Sequence, residues 1–483
     1  MSNCARCGKA LPSFSVGELQ DVCPDCQHQA AAEAQLHPPS ALQKRRIPRP
    51  KVTIAIIAIN VAVFIAMVAS GVSPVSPTSP DLIRWGADWG PASLSGQPWR
   101  MLTSNYVHIG ILHILLNMWC LWNLGVLAEL IFGRLTFLSV YTLTGIAGSV
   151  LSLAWNPNIV SAGASGAVFG IAGALISALY LGRLPYSRDA LRPTLKSVVM
   201  FAVYNLFIGA ASGFVNNAAH VGGLLMGLAL GAVLGRVLMA ESGRRQVAEV
   251  LLFLLAAAVL LFGTRGARKM HADVVTISTA DRALQKHSPD EAIRLLEPLL
   301  KTHPHNLDAR VMLGRAYLMK RDFSDAETEL ARVAAADPRN LNARYFLGET
   351  YLASKRWEQA RDIFASLTRD APKEDEPWVL LGNSLNGMGR QQEAIDAYRR
   401  AIVLNPRNSD AYRELGILQL RLKQNDAALQ NLIKAAELDP NSERGQRGLS
   451  AAYFAAGKAK DAEEASHKAD QIRNSRTSSD DGD

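Results

Sequence analysis

Ser161-Ala-Gly-Ala-Ser165-Gly-Ala-Val-Phe-Gly170 opens an apolar stretch reaching about residue 181, and Ala219-His220-Val-Gly-Gly223 opens another, with His220 standing 55 residues after Ser165. An ionisable side chain within a bilayer is costly, so a histidine inside an apolar segment points first to function. A serine flanked by small residues at the start of a neighbouring segment supplies a hydroxyl that such a histidine could activate. Packing is the competing reading: Gly163, Gly166, Gly170 and Gly173 suit close helix contact with or without chemistry.

What surrounds these two stretches separates the readings. After His220 come Gly223, Gly227, Gly231 and Gly235, a four-residue rhythm that makes one smooth ridge on a helix. Gly166, Gly170, Gly173 and Ser177 offer a matching smooth side on the helix carrying Ser165. His220 lies three residues before Gly223, on nearly the same face, so that contact would deliver the imidazole to the serine. Further upstream, His113 and Asn117 stand four apart in Asn105-Tyr-Val-His108-Ile-Gly-Ile-Leu-His113-Ile-Leu-Leu-Asn117 and project from one helical face. Their N–H groups could bind an oxyanion, or tie helices together.

Apolar segments lie at about 52–69, 108–130, 135–154, 165–181, 195–210, 218–239 and 248–263. The first six are long enough, or nearly so, to span a bilayer with flanks and tilt; the seventh has only 14 uninterrupted apolar residues, Val250 to Gly263. Lys44, Arg45, Arg46, Arg49 and Lys51 place the start of the first span inside. Counting crossings then puts Arg134, the Arg183/Arg188/Arg192/Lys196 loop and Arg236/Arg244/Arg245 inside as well. With seven spans, Arg265, Arg268 and Lys269 fall outside, a mild conflict with the same rule. On this count Ser165, His220 and His113 all sit near the outer side, and that shared depth favours chemistry over packing. The long outside loop from Gly71 to Pro98, with Trp85 and Trp89 and then Trp99, reads as half-immersed at the headgroup boundary. Glu129 and Arg134 close the second span as an anchor.

The combination resembles the rhomboid family of intramembrane serine proteases over about residues 52–240. It is carried by Trp99-Arg100, His108-x4-His113-x3-Asn117, Glu129 with Gly133, Gly163-Ala-Ser165-Gly166, and Ala219-His220-x2-Gly223-x3-Gly227. The resemblance implies a Ser165 nucleophile with His220 as general base, a dyad lacking a carboxylate. It also implies an oxyanion hole from the His113 and Asn117 side chains and the Ser165 backbone N–H, with His108 in support. Phe169 departs from a tyrosine common in the family; the ring surface on the catalytic histidine stays and the hydroxyl goes. Implied substrates are transmembrane helices weak enough to unwind, entering between the second and fifth spans. No cofactor is implied for catalysis.

The 483 residues exceed one domain, and the apolar composition is confined to the middle. The net charge of +8 is spread over helix flanks, which argues against a nucleic-acid partner. No cleaved leader is read at the N-terminus. Cys4, Cys7, Cys23 and Cys26 form C-x2-C-x15-C-x2-C, a spacing that presents four thiolates to one structural zinc ion; disulfides are the alternative.

Beyond residue 272, Leu313-Gly314, Leu347-Gly348, Leu381-Gly382 and Leu415-Gly416 recur every 34 residues, with Leu449-Ser450 as a degenerate copy. Ala326, Ala360, Ala394, Ala428 and Ala462 keep register, as do Pro304, Pro338, Pro372, Pro406 and Pro440. This resembles tetratricopeptide repeats, about six helix pairs with a groove for a protein or peptide partner.

The expected fold is all-α: a membrane bundle of six core spans plus a seventh, a soluble α-solenoid, and a small zinc-ribbon-like N-terminus. The boundaries read 1–29 for the zinc-ribbon-like module, 30–51 for a basic linker, 52–240 for the protease core, 241–272 for the seventh span and linker, 273–476 for the repeats and 477–483 for a disordered acidic tail. The leading function is an intramembrane serine endopeptidase in a cell membrane, N-terminus cytoplasmic and repeats outside, recruiting substrates or partners through the repeats. The alternative is a non-proteolytic relative that binds transmembrane helices as a chaperone.

Overall fold

The computed structural model describes residues 49–182, 188–212, 216–238 and 240–480, together with Cys7, Lys9 and Cys26. Cys4 and Cys23, and most of the 30–51 linker, lie outside the described residues, and the zinc reading with them.

The membrane part is helical: α1 (Lys51–Ala69), short helices α2 (Ser79–Arg84), α3 (Gly90–Ser93) and α4 (Arg100–Thr103), then α5 (Ile111–Phe132), α6 (Arg134–Trp155), α7 (Ser165–Leu181), α8 (Arg188–Ser212), α9 (Asn217–Val237) and α10 (Ser242–Met270). Six of these, α1, α5, α6, α8, α9 and α10, contain windows long and apolar enough to cross a membrane. The chain is thus a multi-pass membrane protein. Helix α7 has only 17 residues, about 26 Å at 1.5 Å per residue against ~30 Å of hydrocarbon. Thirteen of those residues are buried, so α7 is the centre of the bundle and its first residue, Ser165, can lie beneath the membrane surface.

The glycine ridge of α9 lies on α7, as its rhythm predicts. A Cβ on Gly223, Gly227 or Gly231 would overlap the carbonyl of Gly166, Gly170 or Ala174 in turn, and one on Gly235 would crowd Ala178. Gly166, Gly170 and Gly173 all meet α9, as expected: a Cβ on Gly173 would strike the Leu224 carbonyl, and Ala174 and Ala178 extend the same contact. Ser177 is buried as well.

Glu129, at the far end of α5, is buried and accepts hydrogen bonds from Val52 N–H (3.1 Å), Thr53 N–H (2.8 Å) and Thr53 Oγ1 (2.9 Å). It anchors α1, whose first N–H groups have no intrahelical acceptor. Arg134 is 3.7 Å away and half-exposed. Between them Gly133, at φ +87°, makes the one-residue turn from α5 into α6.

The doubtful seventh stretch, 248–263, sits inside the 29-residue α10. It runs alongside α6 in the same direction. Arg245 donates to the Phe132 carbonyl and Thr136 to Glu249 at one end; His271, just past α10, bonds the Ala154 carbonyl at the other. The helix therefore delivers the following domain to the end of the bundle where α6 finishes and α7 begins.

There the repeats start. Six helix pairs follow: α11 (Ala272–Gln285) with α12 (Pro289–Thr302), α13 (Leu307–Lys320) with α14 (Phe323–Ala336), α15 (Leu341–Ala353) with α16 (Trp357–Asp370), α17 (Glu376–Gly387) with α18 (Gln391–Leu404), α19 (Ser409–Arg421) with α20 (Asn425–Leu438), and α21 (Glu443–Ala455) with α22 (Ala459–Asp480). The side chain sixteen residues after each repeat glycine fills the hole over it: Leu330 on Gly314, Phe364 on Gly348, Tyr398 on Gly382 and Leu432 on Gly416. Asn306, Asn340 and Asn408 each accept from an alanine N–H three residues on, capping α13, α15 and α19. Helix α22 runs to Asp480, through most of the stretch read from composition as a disordered tail at 477–483. A terminal helix continues on its own backbone hydrogen bonds where no breaker intervenes, and Ser475 to Asp480 contains neither Gly nor Pro.

Candidate active site

The start of α7 and the first turn of α9 face each other across the glycine contact. His220 Nε2 lies 2.9 Å from Ser165 Oγ, hydrogen-bonding distance, and His220 is 7% exposed. Its Nδ1 is buried and meets no hydrogen-bond partner among the described residues. The Phe169 ring, one turn below Ser165, stacks on the imidazole with centroids 4.3 Å apart and planes 14° apart. That stacking, with the Gly223–Gly166 contact behind, leaves the imidazole little freedom to turn away from the hydroxyl.

A cavity of about 490 Å³ opens at this pair, and His113, Asn117, Asn205 and Cys120 also line it. The Ile109 N–H approaches His113 Nδ1 at 3.3 Å, which leaves the proton of a neutral ring on Nε2. Asn117 Nδ2 donates to the His113 carbonyl at 2.9 Å and has a second hydrogen for another acceptor. Gly163, at φ +131°, is packed so close to the His113 ring that a Cβ there would collide with it. His108 is fully buried behind the loop; its Nε2 faces the Ala164 N–H at 3.4 Å, and its ring lies 5.3 Å from that of His113.

Other residues singled out from sequence lie away from the serine. Arg100 is buried and donates to the Ile83 and Ala87 carbonyls, folding the loop between α1 and α5 back on itself. Trp99 is half-exposed beside it, 4.7 Å from ring centroid to guanidinium. Glu129 holds α1 at the opposite end of the bundle.

Three residues at or near the site have no role predicted from the sequence. Asn205 on α8 faces the cavity, and its only sequence signal is being a lone amide in an apolar helix. Ser104 accepts the Gly163 N–H through its carbonyl at 2.8 Å. Asp88 exchanges two backbone hydrogen bonds with Ser161, 2.9 and 2.8 Å. Nothing local in the sequence marks either of the last two.

Residues 95–237 match the Rhomboid domain family, and residues 283–338, 322–383 and 382–423 match tetratricopeptide repeat families. The chain thus carries a rhomboid domain followed by tetratricopeptide repeats. It is 32% identical to Rhomboid protease GluP of Bacillus subtilis over 51% of this chain and 47% of that protein. It is 38% identical to RHOMBOID-like protein 4 of Arabidopsis thaliana over 28% and 34%. To Rhomboid protease AarA of Providencia stuartii it is 27% identical over 43% and 79%. The match therefore spans about half of GluP and a third of the Arabidopsis protein.

Proposed function

We propose that this protein is an intramembrane serine endopeptidase that cuts transmembrane segments of other membrane proteins. The 2.9 Å approach of His220 Nε2 to Ser165 Oγ, at the mouth of a cavity beneath the membrane surface, carries the reading. The relatives named as rhomboid proteases support it.

The chemistry follows from the donors and acceptors. A substrate helix hides its carbonyls in internal hydrogen bonds, so a short stretch unwinds before it can enter. Ser165 Oγ attacks the exposed carbonyl carbon while its proton passes to His220 Nε2. The tetrahedral oxyanion is held by His113 Nε2–H, the second amide hydrogen of Asn117 and the Ser165 backbone N–H. His220 returns the proton to the leaving amine, the C–N bond breaks, and an ester on Ser165 remains. Water entering the cavity loses a proton to His220 and attacks that ester; the acyl C–O bond to Ser165 breaks, His220 returns the proton to Ser165 Oγ, and the new carboxyl end is freed.

In a membrane with Arg134 and Arg236 on the cytoplasmic side, the serine end and the repeats face outward. The repeats then offer their groove to the extramembrane part of a substrate or to a partner protein. The spacing of Cys4, Cys7, Cys23 and Cys26 remains our reason for reading a structural zinc site in the cytoplasmic N-terminus.

The test is cleavage of a model transmembrane substrate by purified protein in lipid. Wild type is expected to cut it, and Ser165→Ala to lose about a thousandfold or more in kcat. A wild type that leaves the substrate intact while still binding it would turn the reading to the chaperone-like alternative.

A further inference from the structure

The loop that presents Ser165, residues 156–164, is tied by several backbone hydrogen bonds to the loop between α1 and α5. The Gly90 N–H donates to the Pro157 carbonyl (2.8 Å), Asp88 and Ser161 pair, and the Gly163 N–H donates to the Ser104 carbonyl (2.8 Å). All three partners belong to the α1–α5 loop. The same loop also meets α11, the first helix of the repeats: Ser278 Oγ donates to the Pro91 carbonyl, and Val275 packs on a cluster of Leu94, Met101, Leu153 and Ala267. Met101 in turn gives its carbonyl to Ser149, whose hydroxyl lies 3.3 Å from that of Ser104. From Val275 to the nucleophile's loop the contacts are continuous.

Resting on the protease reading above, we propose that α11 is a positioning element of the active site: by clamping the α1–α5 loop, Val275 and Ser278 hold the 156–164 segment in the register that aims Ser165 at the scissile carbonyl. The repeats would then act on catalysis itself, apart from any recruitment. The loop between α1 and α5 holds itself in part, through Arg100 on the Ile83 and Ala87 carbonyls, but its helices are short. Helices α2, α3 and α4 have six, four and four residues, too short to be stable alone, so their position depends on what covers them. The Asp88 carboxyl within the loop is buried: Ser93 donates to one oxygen, the other has no hydrogen-bond partner among the described residues, and burial lifts its pKa to about 7.

The test uses the full chain with a model transmembrane helix lacking any soluble extension, so that recruitment contributes nothing. Val275→Asp is expected to lower kcat about tenfold or more, and Ser278→Ala a few-fold, with KM held within about twofold, because a small misplacement of reacting groups is enough. In both variants, amide exchange at Asp88, Ser161 and Gly163 should accelerate while exchange in α15 to α20 stays as in wild type. Unchanged kcat together with unchanged exchange at Ser161 in Ser278→Ala would overturn the clamp. Should Val275→Asp fail to fold, the Ser278→Ala exchange result decides. A wild type that cuts nothing sinks the protease reading, and the exchange result still judges the clamp.

Discussion

Glycine recurs at regular spacing in both halves of this molecule, and the two halves use it in opposite ways. In the membrane, Gly223, Gly227 and Gly231 meet the backbone carbonyls of Gly166, Gly170 and Ala174. In the repeats, Gly314, Gly348, Gly382 and Gly416 meet the large side chains Leu330, Phe364, Tyr398 and Leu432. The solvents account for the difference. Lipid tails are as apolar as leucine, so burying side chains between membrane helices gains little, and association rests on close van der Waals approach and polar anchors such as Glu129. Around the repeats there is water, and filling a glycine hole with a whole phenylalanine or leucine side chain removes apolar surface from it, worth about 1.5–3 kcal/mol per residue.

The contrast can be broken most sharply by adding one methyl group to each half. Gly227→Ala sets a Cβ 2.0 Å from a carbonyl that cannot move without shifting α7. Gly416→Ala instead meets the Leu432 side chain at 2.7 Å and comes no nearer than 3.2 Å to the backbone, at the Ala428 carbonyl, so most of the adjustment falls to a side chain. We expect the membrane substitution to cost more than about 3 kcal/mol and the repeat substitution about 1–2 kcal/mol. Thermal unfolding of the full chain in detergent, followed by circular dichroism, would measure both; equal losses would defeat the distinction.

A smaller effect probes the junction of the two halves. Asp88 is an acid whose folded pKa, about 7, stands above its ordinary 3.8 because of burial. The hydroxyls of Ser93 and Ser149 and the guanidinium of Arg100 are the groups that pull it the other way. The folded state therefore holds the proton more tightly than the unfolded chain. The stabilisation is complete below about pH 4, falls as pH rises towards 7, and is gone above it. Asp88→Asn should remove that slope, making the variant more stable than wild type at pH 8 relative to pH 5 by an amount on the order of 2 kcal/mol. Melting temperatures across that range report it, and parallel curves for the two proteins would refute it.

The mildest prediction concerns the repeats alone. Asn340→Ala removes the side chain that caps α15 and should cost about 1 kcal/mol, visible as a shift of the repeat transition with the membrane part unmoved.

Much of this architecture is readable along the chain because its signals are local or periodic. Four-residue glycine spacing, helix lengths, the 34-residue period and the i, i+4 pair His113 and Asn117 are properties of neighbouring residues on one helix. The pairing of Ser165 with His220 was also within reach, since the glycine contact that joins them is written into both segments. What the chain leaves open is extent: the apolar run at 248–263 is only the middle of the 29-residue α10, whose start is tied to α5 and α6 through Arg245 on the Phe132 carbonyl and Thr136 on Glu249.

By itself, then, the order of residues determines a helical membrane bundle, a serine and a histidine at matching depth, and a solenoid of six pairs. Tertiary structure alone decided what holds the serine in place. Asp88 finds Ser161 and Ser104 finds Gly163 across long separations in the chain, through backbone atoms that every residue carries, and the Ser278 hydroxyl finds the Pro91 carbonyl. A hydrogen bond to a carbonyl leaves no mark on residue type, so no reading of side chains along the sequence reveals it before the chain has folded.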